Sequence, residues 1–87
     1  MRLRDEGLSR QTLDDEIVLL DLHTSMYLTA RSTGALLLRL LESDTDRSTL
    51  LQSLLERYPS TPPEIIAADV DAFLATLRER SLLLEES

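Results

Sequence analysis

"IVLLDLHTSMYLT", residues 17–29, decides the architecture. Two apolar runs, Ile17 to Leu22 and Met26 to Thr29, flank the polar triplet His23, Thr24 and Ser25. So short a break allows only a tight reversal, and the runs pair antiparallel as a hairpin. Side chains alternate along a strand, so Val18, Leu20 and Leu22 share one face and Ile17, Leu19 and Asp21 the other. Apolar residues on both faces mark a central strand, expected from Glu16 to Leu22. Upstream, "LSRQTL" at residues 8–13 alternates loosely and reads as an outer, half-exposed strand. Asp14 and Asp15 supply the turn between those two strands. The strand Met26 to Thr29 is left with an outer row of backbone N–H and C=O groups that something must cover or use.

Three helices are expected next. Ser32 or Thr33 opens the first, which carries Leu36, Leu37, Leu40 and Leu41 at helical spacing and runs to about Glu42. Asp46 caps the second, whose stripe is Leu50, Leu51, Leu54, Leu55 and Tyr58, and Pro59 ends it. Thr61, Pro62 and Glu64 read as a capping box with proline at the first helical position. Ile66, Val70, Phe73, Leu74 and Leu77 then form the third helix's stripe, with Arg78 and Arg80 at its negative dipole end. "LLL" at 82–84 is a closing apolar tail or a very short strand. The predicted fold is α+β: an N-terminal three-stranded antiparallel sheet followed by three helices, like a winged helix-turn-helix with its wing placed first.

The 87 residues are expected to form one domain. The absence of cysteine removes thiolate metal sites, disulfides and cysteine nucleophiles, and fits a cytoplasmic protein. No apolar run spans a bilayer, and "MRLRDEGLSR" lacks the apolar segment of a signal peptide, so no membrane partner is expected. The net charge of −7 repels phosphate backbones, so no nucleic acid is expected either. It suits a basic and apolar peptide, though such charge also serves solubility alone. The single histidine, His23, falls in a turn and reads as solvated. "DDE" at 14–16 lacks the spaced ligands of a calcium loop, and two glycines make no phosphate cradle. No catalytic residue, metal site or cofactor is expected, and no enzyme.

"VLLDLHTSMYLTARSTGALLLRLL", with "LLERY" and "DVDAFLATLRERSLL" after it, resembles the PqqD-like proteins. These are recognition elements for the precursors of ribosomally made, modified peptides. The resemblance spans residues 16 to 84 and lies nearest the stand-alone leader-binding proteins of lasso peptide biosynthesis. Its specific parts are the hairpin, Thr33-Gly34-Ala35, and Asp69-Val70 with Phe73, Leu74 and Leu77. The chain departs from the pattern at Ser25 and Ser81, where glycine is usual. It departs also at Ala30-Arg31, where Leu-Asn is frequent, and at Leu38, which replaces a common tryptophan.

The resemblance implies a non-catalytic adaptor. The leader of a precursor peptide adds as a strand to the sheet edge beside the third helix, a β-augmentation. It is then presented to a separate leader peptidase, possibly also to a cyclase. The implied peptide-binding residues are Leu22, Met26, Tyr27, Leu28, Thr29 and Ala30 on the hairpin, and Asp69, Val70, Phe73, Leu74 and Leu77 on the helix. Val70, Phe73 and Leu77 are expected to serve core and groove together, and Leu74 the core. Proline at Leu28 is expected to remove an edge donor. The alternatives are a winged-helix nucleic-acid binder, which the acidic third helix opposes, and a structural subunit of a larger enzyme.

Overall fold

The computed structural model describes residues 1–85. Its strands are β1 (Arg2–Leu3), β2 (Leu8–Leu13), β3 (Glu16–Asp21), β4 (Met26–Arg31) and β5 (Leu83–Leu84). Helices α1 (Thr33–Leu40), α2 (Arg47–Arg57) and α3 (Pro63–Glu79) lie between β4 and β5. The α+β architecture expected from the sequence is the one observed: a three-stranded antiparallel sheet, then three helices. β3 is central, in the order β2-β3-β4. Leu19 faces Arg10 on one side and Leu28 on the other.

β2 and β3 are joined by Asp14 and Asp15, and Asp14 takes a left-handed φ of 51°, which aspartate tolerates better than most residues. The second reversal begins one residue earlier than expected. The Asp21 carbonyl accepts from Ser25 N–H at 2.7 Å and its carboxylate from His23 N–H at 3.0 Å. This side-chain turn draws Leu22 out of the strand and into the loop.

Asp46 caps α2 as expected, accepting from Thr49 N–H at 2.8 Å. The expected capping box on α3 does not form. Both Thr61 and Pro62 precede a proline, which pushes each out of helical geometry. Pro62 is accordingly extended (φ −56°, ψ 135°), makes no side-chain cap, and leaves Pro63 as the first helical residue. Glu64 stays in the first turn, where it complements the dipole.

α3 ends in a Schellman motif: Leu82 N–H reaches Leu77 C=O at 2.9 Å and Ser81 N–H reaches Arg78 C=O at 3.0 Å. Leu82 thereby enters the core, and Leu83–Leu84 pairs with Arg2–Leu3 as a second, two-stranded sheet. The highly charged N-terminus gave no sign of that strand. The core joins Ile17, Leu19 and Ala30 of the larger sheet to Leu37, Leu38, Leu41, Leu50, Leu54, Ile66, Val70, Leu74 and Leu77. Leu38, at the tryptophan position, is fully buried.

Candidate peptide-binding groove

β4 is an edge strand. Leu22 N–H bonds to Gly7 C=O at 2.8 Å, so alternation along β3 directs residues 22, 20, 18 and 16 toward β2 and residues 21, 19 and 17 toward β4. The partners of that second set, Met26, Leu28 and Ala30, therefore spend their backbone groups on β3. Tyr27, Thr29 and Arg31 direct theirs outward. An independent contact agrees: the Tyr27 carbonyl accepts from the Arg80 guanidinium at 2.8 Å. Arg80 follows the last residue of α3, so the end of that helix reaches across to the open edge.

The side chains sort the other way. Met26, Leu28 and Ala30 share the inner face with Ile17 and Leu19. Tyr27, 64% exposed, and Thr29 lie on the outer face. Asp69, Phe73 and Thr76 of α3 and Arg80 just after it form one stripe at helical spacing. Gly34 fixes how that stripe lies. A Cβ on Gly34 would sit 3.1 Å from the Ala30 Cβ and 3.2 Å from Phe73 Cε1. The close start of α1 thus seats the Phe73 ring beside the end of β4, while Arg80 meets its beginning. The stripe therefore runs antiparallel to β4, with Asp69 at one end and Arg80 at the other.

At the Arg80 end lies a cavity of about 470 Å³. Leu8, Leu19, Leu28, Leu82 and Met26 give it apolar walls, and Arg4, Asp21, His23, Glu79 and Arg80 give it polar ones. Arg4 donates to Asp21 at 2.9 Å. Burial raises the Asp21 carboxyl pKa, but the His23 N–H bond and the Arg4 cation outweigh it, leaving the group below the usual aspartate range. His23 is exposed, and its ring covers Gly7, where any Cβ would collide with the imidazole.

The structure brings together Met26, Tyr27, Leu28, Thr29 and Ala30 on β4, with Phe73 beside the end of that strand; Asp69 is exposed one turn before Phe73 on α3. Leu22 does not join them: it is 60% exposed in the loop, and its N–H continues the β2–β3 ladder away from the edge. Val70 and Leu77 are fully buried, so both belong to the core rather than to core and groove together. Leu74 is core as expected, and Phe73 alone is partly exposed. Leu28 N–H points into the ladder, so proline there would break β3–β4 pairing instead of blocking the edge. Asp71 holds Arg47 of α2 through two bonds, 2.7 and 3.0 Å.

Sequence reasoning missed Arg4, Leu8, Leu19 and Leu82 as cavity walls and took Arg80 only for a dipole partner. Its place seven residues after Phe73 was the available signal. Among the described residues no group of three or more His, Cys, Asp or Glu side chains is placed to hold a metal ion.

The family model of coenzyme PQQ synthesis protein D (PqqD) matches residues 16–83. The chain belongs to the PqqD family. Two solved structures share its fold over nearly the whole length. TbiB1 in complex with the TbiA(beta) leader peptide is 25% identical, with a TM-score of 0.85 over 100% of this chain and 99% of that one. Lasso peptide synthetase B1 complexed with the leader peptide is 26% identical, with a TM-score of 0.79 over 97% and 96%. No curated protein matches the chain. Among the described residues of this PqqD-family chain, no helix is long and apolar enough to cross a membrane.

Proposed function

We propose that this chain acts as one non-catalytic, cytoplasmic recognition domain for the leader of a ribosomally made precursor peptide in lasso peptide biosynthesis. The leader adds as a strand along β4, beside α3, and is presented to a separate leader peptidase, possibly with a cyclase. The observation that carries this reading is the outward row of Tyr27 and Thr29 backbone groups, met only by the Arg80 side chain among the described residues, alongside the Phe73 stripe. Both structural relatives hold a leader peptide, which supports it. Main-chain bonds give register, and side chains facing Met26 and Leu28 enter the groove and supply selectivity. Asp69, exposed at the far end of the stripe, pairs with a basic leader residue.

A nucleic-acid role is the weaker reading. α3 carries Glu64, Asp69, Asp71 and Glu79 against Arg78 and the Arg80 that follows it. Phosphate contact requires the opposite balance.

Thr29→Pro is the direct test. It removes an outward donor and leaves the β3–β4 ladder intact, a position where an edge strand accepts proline. Titration of a fluorescent synthetic lasso-precursor leader peptide should show at least a tenfold loss, about 1.4 kcal/mol. Unchanged affinity in a folded Thr29→Pro protein would move the peptide off β4. The peptide's mass should stay constant on incubation with the protein alone.

A further inference from the structure

The bond from Arg80 to the Tyr27 carbonyl occupies a position that strand addition needs. A peptide strand laid on β4 must donate a backbone N–H to that same oxygen. Arg80 is exposed, and among the described residues no carboxylate lies within ion-pair distance of it. The other cation of the cavity, Arg4, is already matched by Asp21. We infer that Arg80 caps the free edge of β4 and, once displaced by the incoming strand, reads a carboxylate on that strand and so sets its register. This rests on the strand addition proposed above.

Strand geometry locates the carboxylate. Residues of the added strand opposite Tyr27 and Thr29 exchange backbone bonds with them, and their side chains share Tyr27's outer face. Residues opposite Met26 and Leu28 point inward, into the cavity that Arg80 helps to wall. The acid therefore stands directly beside the residue that bonds Tyr27, opposite Met26 or Leu28. Asp69 on α3 and Arg80 at its C-terminal cap are eleven residues apart, about 16 Å along the helix axis. That span equals about five residues of extended chain. Two side chains on the same face must be an even number of residues apart, so the basic residue that meets Asp69 falls four or six residues from the acid. Asp69 at one end and the Arg80 guanidinium at the other, where Glu79 also lines the cavity, together fix direction as well as register. The excess negative charge of the whole protein attracts basic peptides without doing either.

Selection from a phage-displayed random dodecapeptide library tests this on the intact protein. The wild type should enrich Asp or Glu at one fixed position of a β-prone consensus, and Arg80→Glu should enrich Lys or Arg at that same position. The wild-type consensus peptide and its Asp→Asn form are then titrated against wild type and Arg80→Ala, which keeps the fold if Arg80→Glu does not. For the acidic peptide, Arg80→Ala should weaken binding about threefold at low salt. For the Asn peptide it should strengthen binding, because the cap is gone and no pair is lost. Identical consensus sequences, or equal effects of Arg80→Ala on both peptides, overturn the inference and leave strand addition standing. If neither protein selects any extended peptide, strand addition fails with it.

Discussion

Ser81 holds a left-handed φ of 57° at the C-terminal end of α3, and Ser25 one of 60° at the end of the β3–β4 reversal. A side chain in that region crowds the following carbonyl and costs roughly 1–2 kcal/mol, which glycine avoids. Part of that gain is returned because glycine also loosens the unfolded chain. Ser81→Gly should therefore stabilise the protein by about 0.5–1 kcal/mol, seen as a rise of a few degrees in Tm. An unchanged or lower Tm would show that the Schellman bonds through Leu82 carry the turn without strain at Ser81. The two serines stand where the sequence pattern leads one to expect glycine, and the backbone keeps glycine's conformation at both. The substitution leaves the fold in place because each turn is held by other bonds: Leu82 N–H to Leu77 C=O in one, Ser25 N–H to Asp21 C=O in the other. Phe73 shows the opposite dependence. Its position rests on the space that Gly34 leaves open.

The β3–β4 hairpin is tied down by one carboxylate. Asp21 lies on the buried face, receives His23 N–H, and holds Arg4 from the segment after β1. Its pKa is depressed in the folded protein, so it contributes stability above its unfolded pKa and loses it as pH falls through the folded one. Unfolding midpoints should fall steeply below about pH 4 in the wild type and more gently in Asp21→Asn, which is weaker at neutral pH. Parallel curves for the two proteins would show that other carboxylates set the acid limit. The elements themselves were largely legible in the sequence. Alternation located β2, β3 and β4, and the Asp46 cap and the leucine spacing located α1 and α2. What escaped was long-range. Arg2–Leu3 is a strand only because Leu83–Leu84, at the other end of the chain, pairs with it. The start of α3 moved by one residue because two successive prolines compete for the first helical position. Which N–H groups of β4 face outward depends on pairing parity, and no residue pattern reveals that. Leu28 therefore looked like an edge donor when Thr29 is one.

Across the whole molecule, charge and apolar surface do different work. The chain carries a net charge of −7, yet the proposed groove has Asp69 toward one end and Arg80, with Glu79 in the same cavity wall, at the other. A diffuse negative field raises the encounter rate with a basic peptide and is screened within about 10 Å at 0.1 M salt. An exposed pair at Asp69 adds only about 0.2–1 kcal/mol. The residence time of a bound strand must then come from backbone bonds to Tyr27 and Thr29 and from apolar contact with Phe73, Leu28 and Met26. Stopped-flow binding of the synthetic leader separates these contributions. Asp69→Asn should slow association at low salt and lose most of that effect at high salt. Phe73→Ala should mainly speed dissociation, at both salts, with circular dichroism confirming that its half-buried site has not unfolded the helix. A steep salt dependence together with normal dissociation from Phe73→Ala would mean that charge, not the groove beside β4, holds the peptide.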